Sequence, residues 1–196
     1  MSIYPPIYFV RHGETAWNAE GRLQGQQDIP LNTTGKKQAQ HVGTLIKSLS
    51  NLPSTLDYIS SPMLRTCTTM QLLRTEADLD PLSYNTDDRL KEICFGRWEG
   101  LTWPEVRASD PKGAAGREAD KWNYVPPAGE SYEMLQLRIA PWVETLEKPT
   151  LVVAHGGVAR VLLSMVAGES SLISPNINIW QGKILMFEGG QFRWIG

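Results

Sequence analysis

The sequence has few of the cysteines that cross-link a protein through disulfides or bind a structural metal ion. Its 196 residues include two cysteines, Cys67 and Cys94, which lie far apart and form no Cys-x-x-Cys pair. A disulfide framework and a cysteine-rich zinc site are therefore excluded. Because free thiols are typical of a reducing compartment, we expect a cytoplasmic protein.

Long apolar runs and a strong charge of either sign are also missing. No hydrophobic stretch approaches the ~20 residues of a membrane span, and the first residues do not resemble a signal peptide. Nineteen Lys and Arg against 21 Asp and Glu leave a net charge of −2. Since broad nucleic-acid binding needs an excess of basic residues, we expect neither a nucleic-acid partner nor a membrane.

The apolar residues that are present predict strands alternating with helices. Strands are predicted at 7–10, 56–59 and 150–154, within 77–90, and as closing strands at 177–180, 183–187 and 192–195. Helices are predicted at 34–49, after Pro62, and at 131–147 and 158–166. This pattern indicates a three-layer αβα sandwich with a mostly parallel central sheet, whose ligand site lies beyond the carboxyl ends of the strands.

Two of those strand ends carry the same dipeptide. His12-Gly13 follows the first strand, and His155-Gly156 follows the strand at 150–154. One histidine of this kind would be interpreted as a buried core residue. Two at equivalent places, each followed by a glycine that lets a ligand approach closely, favour a functional site.

Two arginines strengthen this interpretation. Arg11 leaves the same strand end as His12, and Arg65 is predicted in the first turn of a helix, an end that favours anions. Paired guanidinium groups can bind a phosphate through parallel hydrogen bonds. Without the histidines, a surface ion pair would be the better interpretation of Arg65.

Four segments together resemble the histidine phosphatase superfamily, in its phosphoglycerate-mutase-like branch. They are residues 11–18 (RHGETAWN) with 21–25 (GRLQG), 60–66 (SSPMLRT), 90–100 (LKEICFGRWEG) and 154–157 (AHGG). The segments occur in the family's order. The resemblance implies one phosphoglycerate-mutase-like domain over residues 1–196, with an insertion of loops and short helices at about 95–130 over the active site.

The resemblance also implies a role for each residue. His12 would be the nucleophile that forms a phosphohistidine, and its second ring nitrogen should donate to a backbone carbonyl. Arg11, Arg65 and a protonated His155 would surround the phosphoryl oxygens. Glu92 would be the general acid, and an acidic rate optimum is expected because a glutamate is mostly ionised at neutral pH.

Further candidates would contact the substrate rather than react. They are Asn18, Gln24, Gly25 and Gly156. No metal and no other cofactor is expected, because the positive charges of arginine and histidine would replace a metal ion in stabilising the phosphoryl group. Glu99 is the alternative candidate for the general acid, but its position in a Trp-Glu-Gly turn favours a structural role.

Three functions remain open at this stage. Mutases of the family resemble one another in Glu-Arg-His-Tyr-Gly and His-Gly-Asn, whereas residues 92–96 and 155–157 here are EICFG and HGG. Residues 126–131 (PPAGES) resemble an element of the short phosphatases. We therefore expect a metal-independent phosphomonoester hydrolase, a histidine acid-type phosphatase, with a small phosphorylated metabolite as substrate. A cofactor-dependent phosphoglycerate mutase and a non-catalytic phosphate-binding regulatory domain are the alternatives.

Neither the substrate nor the oligomeric state follows from the sequence, and a homodimer is left as one alternative. Basic side chains within 95–130 could contact an anionic substrate, although a solvated surface is the expectation for each of them. They are Arg97, Arg107, Lys112, Arg117 and Lys121.

Overall fold

One six-stranded sheet forms the centre of the computed structural model, which describes residues 4–49 and 55–196. The strands are β1 Ile7–Arg11, β2 Asp57–Ser60, β3 Asn85–Thr86, β4 Thr150–Ala154, β5 Ile184–Glu188 and β6 Gln191–Ile195. Their order across the sheet is β3-β2-β4-β1-β5-β6. β5 runs antiparallel to both of its neighbours, and the other pairs are parallel. The predicted mostly parallel α/β sheet is confirmed.

Seven α-helices are found in the described part of the chain. They are α1 Ala16–Ala19, α2 Thr33–Ser48, α3 Leu64–Glu76, α4 Trp103–Ser109, α5 Pro111–Ala119, α6 Tyr132–Val143 and α7 Gly156–Ala167. None of these helices, within 4–49 and 55–196, is long and apolar enough to cross a membrane.

The core divides into two clusters because successive side chains of a strand point to opposite faces of the sheet. In β1, Ile7 and Phe9 pack in a cluster with α6 and α7, whereas Tyr8 and Val10 pack with α2 and α3. Every residue of β4 is buried, as expected for a central parallel strand covered on both faces. The helices therefore cover the sheet on both sides and leave its carboxyl edge for a site.

The structure corrects one predicted strand and two helix ends. Residues 177–180 form no strand, because the carbonyls of Ile177 and Ile179 accept hydrogen bonds from the side chains of Arg160 and Arg11, at 3.1 and 3.0 Å. The helix predicted to reach residue 147 ends at Val143. α7 begins two residues before the predicted start, directly after His155.

Short helices form most of the segment at 95–130. It contains a 3₁₀ turn at Gly96–Trp98, then α4 and α5, each with a proline in its first turn. The buried side chains of Trp98, Val106 and Ala114 hold these elements together.

Candidate active site

The two predicted site histidines meet at the carboxyl ends of β1 and β4. These strands are neighbours, with Arg11 opposite Ala154, and the amide of His12 donates to the carbonyl of Ala154 at 3.0 Å. The ring centroids of His12 and His155 are 5.2 Å apart, and both side chains are buried. The structure thus joins two residues that are 143 positions apart in sequence (155 − 12).

The ring of His12 is fixed in one tautomer. Its Nδ1 lies 2.8 Å from the carbonyl oxygen of Gly13, and because a carbonyl only accepts, Nδ1 must carry the proton. The expected hydrogen bond from the second ring nitrogen to the backbone is confirmed. Nε2 therefore keeps its lone pair, and it accepts a hydrogen bond from Nε of Arg65 at 3.2 Å.

Electrostatics keep this ring neutral. Burial, followed by the charges of Arg65 and Arg11, lowers the pKa of His12 well below its ordinary value. A neutral imidazole with an unprotonated Nε2 is the form that a nucleophile requires.

Both arginines are held by backbone carbonyls rather than by carboxylates. Arg65 is fully buried, and its Nη1 and Nη2 donate to the carbonyls of Gln27 and Gly25 at 2.6 and 2.8 Å. The Nε of Arg11 is buried without a hydrogen-bond partner in the described part of the chain. Burial lowers the pKa of Arg11 only to about 10, so Arg11 stays charged at neutral pH, and burial also lowers the pKa of Arg65. The unpaired buried Nε–H of Arg11 beside His12 favours an anion there.

His155 was expected to carry a proton when a phosphoryl group is bound, and the protein alone does not supply one. Burial, followed by the positive charges of Arg65 and Arg11, lowers its pKa well below the ordinary value. The ring is therefore neutral at neutral pH, since burial and two arginines oppose another positive charge. A phosphate dianion would have to offset the arginines before His155 could gain a proton.

A residue that the sequence reasoning missed fixes this second ring. The hydroxyl oxygen of Ser61 lies 2.8 Å from Nε2 of His155, and both side chains are buried. Ser61 follows β2, the strand next to β4, at the same edge of the sheet. Its place directly after a predicted strand could have identified Ser61 as a site residue from the sequence.

Glu92 reaches the same site from a long loop. Its Oε1 accepts hydrogen bonds from the amides of Gly157 and Ile93, at 3.0 and 2.9 Å. The carboxylate thus lies at the N-terminus of α7, which favours negative charge. A Cβ at position 157 would overlap Oε1 of Glu92, so a larger residue there would have to displace this carboxylate.

Most of the predicted site residues line one cavity of about 150 Å³. They are Arg11, His12, Asn18, Gln24, Gly25, Arg65, Glu92 and Gly156. His155 is not part of the lining and packs edge-on against His12. The Oδ1 of Asn18 accepts from Gln181 at 3.2 Å, and the buried Oε1 of Gln24 has no partner among the described residues.

Two further residues of the lining, Arg160 and Tyr132, were not singled out from the sequence. Arg160 lies four residues after Gly156 on α7, but the predicted helix began at residue 158, so periodicity from Gly156 gave no signal for it. Glu99 accepts hydrogen bonds from the backbone amides of Gln26 and Phe95, at 3.0 and 3.2 Å, in agreement with the structural role expected for it.

Across residues 4–49 and 55–196, no three His, Cys, Asp or Glu side chains are grouped to hold a metal ion.

The basic residues of 95–130 fall into two classes. Arg97, Arg107 and Lys112 are exposed, as expected. Arg117 contradicts that expectation because it is only 3% exposed, and Lys121 is half-buried. The rings of Phe95 and Tyr132 lie against Arg117, with centres 5.3 and 5.5 Å from its guanidinium carbon, and the residues next to Arg117 in sequence gave no sign of this.

Comparisons with known proteins agree with this geometry. Residues 7–194 match the family model of the histidine phosphatase superfamily (branch 1). The chain is 29% identical to phosphoglycerate mutase-like protein 4 of Arabidopsis thaliana over 96% of this chain and 83% of the relative. It is 36% identical to 6-phosphofructo-2-kinase/fructose-2,6-bisphosphatase of Gallus gallus over 84% of this chain, and it spans 33% of that relative's length.

Solved structures extend the similarity to the fold. YhfR of Bacillus stearothermophilus superposes with a TM-score of 0.81 at 28% identity, over 96% of this chain and 94% of that one. The alpha-ribazole phosphatase from Shigella flexneri gives a TM-score of 0.81 at 23% identity, over 95% and 93% of the two chains, and shows a shared fold. With the site geometry and the family match over residues 7–194, this chain belongs to the histidine phosphatase superfamily (branch 1).

Proposed function

We propose that this protein hydrolyses small phosphomonoesters through a phosphohistidine formed on His12. One observation carries the proposal. The Nε2 atom of a neutral, tautomer-locked His12 lies at a cavity whose walls include the cations Arg11 and Arg65. Membership of a histidine phosphatase family supports the same reaction class.

In the first step, the lone pair of His12 Nε2 forms a bond to phosphorus while the ester P–O bond breaks. Glu92, in its acid form, gives its proton to the leaving alkoxide. Arg65 transfers its hydrogen bond from Nε2 to a phosphoryl oxygen, and with Arg11 it stabilises the charge on the equatorial oxygens. The hydrogen bond from Nδ1 to Gly13 stabilises the cationic phosphohistidine.

In the second step, a water molecule attacks phosphorus and the N–P bond breaks. The electron pair returns to Nε2, and the carboxylate of Glu92 accepts the proton of the water. Inorganic phosphate then leaves and the site is restored. No metal takes part in this proposal, because the arginines supply the positive charge.

Two sequence elements favour hydrolysis over the mutase alternative. Mutases of the family resemble one another in Glu-Arg-His-Tyr-Gly and His-Gly-Asn, whereas this chain has EICFG at 92–96 and His155-Gly156-Gly157. Residues 126–131 (PPAGES) resemble an element of the short phosphatases.

The test is release of inorganic phosphate from a panel of phosphomonoesters, with a chelator present, by wild type, His12→Ala and His41→Ala. His41 is an exposed histidine on α2 and serves as the matched control. We expect release by wild type and His41→Ala, and a loss of about 10⁴-fold or more in His12→Ala. An acid-labile, alkali-stable phosphoprotein should be trapped from wild type and from His41→Ala, but not from His12→Ala. Conversion of 3-phosphoglycerate to its 2-isomer with a bisphosphate primer, without release, would establish the mutase instead. Neither activity in a folded protein would establish a binding domain.

A further inference from the structure

Glu92 lies on a segment of chain that has no regular structure of its own. Residues 91–94 belong to no helix or strand, so their carbonyl groups have no partner within a helix or a β-ladder. Because backbone polar groups need partners, an irregular segment must find them on other elements. The side chains of Leu90 and Ile93 are buried in the core and anchor the segment. The direction of the backbone between these two anchors depends on hydrogen bonds.

The guanidinium of Arg138, on α6, holds one side of this segment. Its Nη1 donates to the carbonyls of Arg89 and Lys91 at 2.6 and 3.0 Å, and its Nη2 donates to the carbonyl of Glu92 at 3.4 Å. Three carbonyls within four residues thus converge on one side chain. A planar guanidinium with five donors can serve several acceptors at fixed angles, whereas a lysine ammonium is a single point on a flexible stem.

The carboxylate of Glu130 completes the arrangement on the other side of Glu92. Its two oxygens accept from Nε and Nη2 of Arg138, at 3.2 and 3.0 Å, so the ion pair is bidentate. The same carboxylate accepts from the amide of Cys94 at 3.0 Å, and the amide of Glu130 donates to the carbonyl of Cys94 at 2.8 Å. One ion pair therefore holds the backbone both before and after Glu92.

This ion pair lies outside the proposed reaction site. Neither Arg138 nor Glu130 lines the cavity of His12, and the carboxylate of Glu92 accepts from backbone amides rather than from Arg138. The attraction between two partly exposed charges contributes little by itself. The specific consequence of the pair is therefore the geometry that it imposes on the backbone of Glu92.

We propose that Arg138 and Glu130 are positioning residues for Glu92, which hold its backbone so that the carboxylate stays at the N-terminus of α7. This proposal rests on the proposed function, in which Glu92 gives a proton to the leaving alkoxide and takes one from water. Without the pair the carboxylate can shift, and a displacement of about 1 Å can reduce a rate by about 10²-fold. Proton transfer is impaired, whereas the binding of the phosphoryl group by Arg11 and Arg65 is not.

The first test compares Arg138→Met and Arg138→Lys with a control, Lys148→Met. Lys148 pairs with Asp57 at 2.9 Å at the amino ends of the strands, opposite the carboxyl edge that holds the site. For an alkyl phosphate, Arg138→Met should lower kcat about 10- to 100-fold and change KM by less than about threefold. Arg138→Lys should recover part of this loss, and Lys148→Met should match wild type. An unchanged kcat in Arg138→Met would overturn the proposal.

The variant Glu92→Gln separates positioning from a general structural role. In that background the proton is already missing, so adding Arg138→Met should lower kcat by less than about a further twofold. A structural role alone would lower kcat by the same factor in both backgrounds. With 4-nitrophenyl phosphate, whose leaving group needs no proton, Arg138→Met should keep the rate of the nitrophenol burst and slow only the turnover after it. Equal factors in the two backgrounds, or a slowed burst, would assign Arg138 a structural role.

Hydrogen exchange at the amide of Gly157 reports the position of Glu92 without any turnover. This amide lies in the first turn of α7, where it has no partner within the helix, and it donates to the carboxylate of Glu92. NMR should show it exchanging at least about tenfold faster in Arg138→Met, with the amides of β4 unchanged. Equal exchange of Gly157 in wild type and variant would overturn the positioning role.

The exchange measurement also separates the two proposals. If wild type hydrolyses nothing, the proposed function fails, and faster exchange of Gly157 in Arg138→Met still supports the positioning of Glu92. If Arg138→Met does not fold, Glu130→Gln takes its place in each measurement. The amide of Glu130→Gln keeps an oxygen for the N–H of Cys94 but loses the charge that holds Arg138. Kinetics and exchange equal to those of wild type in Glu130→Gln would then overturn the proposal.

Discussion

The Nε–H of Arg65 donates a hydrogen bond to Nε2 of His12 across 3.2 Å. The nitrogen proposed to attack phosphorus is thus held by the group proposed to stabilise the phosphoryl oxygens. The same guanidinium is fixed by the carbonyls of Gly25 and Gln27. One side chain therefore aligns the nucleophile with the loop that follows α1.

Replacing Arg65 by glutamine or by lysine separates its charge from its geometry. Either change should reduce kcat by roughly 10²–10³-fold, because a positioned donor to the transition state is lost. Arg65→Gln should also raise the pKa of His12, since the charge of Arg65 is second only to burial in lowering it. Arg65→Lys keeps the charge and should raise that pKa less. Titration of the imidazole by ¹⁵N NMR measures the difference, and equal pKa values in the two variants would contradict this account.

Glu92→Gln tests proton transfer without disturbing the loop. The amide keeps an oxygen for the N–H groups of Gly157 and Ile93 but cannot give or take a proton. We expect kcat for alkyl phosphates to fall by about 10²–10⁴-fold. For 4-nitrophenyl phosphate the first step needs no proton, so a burst of nitrophenol should precede slow turnover. Glu133→Gln, at an exposed position on α6, should behave as wild type, and the absence of a burst would remove Glu92 from the second step.

Two glycines of the loop after α1 provide a matched pair. Gly25 has a positive φ of 51°, and a Cβ there would overlap the Glu99 carboxylate. Gly21 has a φ of 70° but nothing within 4 Å of its Cβ position. Gly21→Ala should cost about 1–2 kcal/mol in the free energy of unfolding and leave turnover intact.

Gly25→Ala should cost more than Gly21→Ala and should also reduce kcat/KM by about tenfold or more, because its carbonyl holds Arg65. Urea unfolding and steady-state kinetics measure the two effects. Equal kinetics in both variants would show that this loop does not position Arg65.

The free energy of unfolding should fall in mildly acidic solution. The pKa values of His12 and His155 are held well below the ordinary ~6.5, mainly by burial. Below that pH the unfolded chain binds a proton at each histidine while the native protein does not. Stability is therefore lost as the pH falls, by up to about 1.4 kcal/mol per pH unit for each histidine.

Urea unfolding between pH 7.5 and 5.5 measures this dependence. The double variant His12→Gln/His155→Gln removes both groups, and its stability should change with pH less steeply than that of wild type. Because carboxylates titrate in both proteins, the difference between the two slopes isolates the histidines. Identical slopes would mean that the two rings take up protons in the native state.

The fold and the central site could be predicted because their signals are local. His12 and Arg11 continue a buried apolar strand, and His155 continues another, so the sheet itself brings them together. The segment at 177–180 has the same apolar alternation as a strand. It fails to pair because distant arginine side chains occupy its carbonyls.

Contacts between distant segments were not predictable. The start of α7 is capped by Glu92, 65 positions earlier, so the two glycines at 156 and 157 gave no sign of a helix. Arg117 was expected at the surface because its own segment is polar. Its burial depends on rings contributed by Phe95, Trp103 and Tyr132, whose meeting no local pattern encodes.

The 5.2 Å between the rings of His12 and His155 nearly equals the ~4.8 Å that separates any two adjacent strands. The two histidines are neighbours because β1 and β4 are adjacent strands, and the amide of His12 continues their hydrogen-bond ladder at Ala154. Loops around it can lengthen, shorten or change composition without altering that interval. The loops around the site can therefore differ between family members while the spacing of the two histidines stays the same. The relatives described above differ in name and in length.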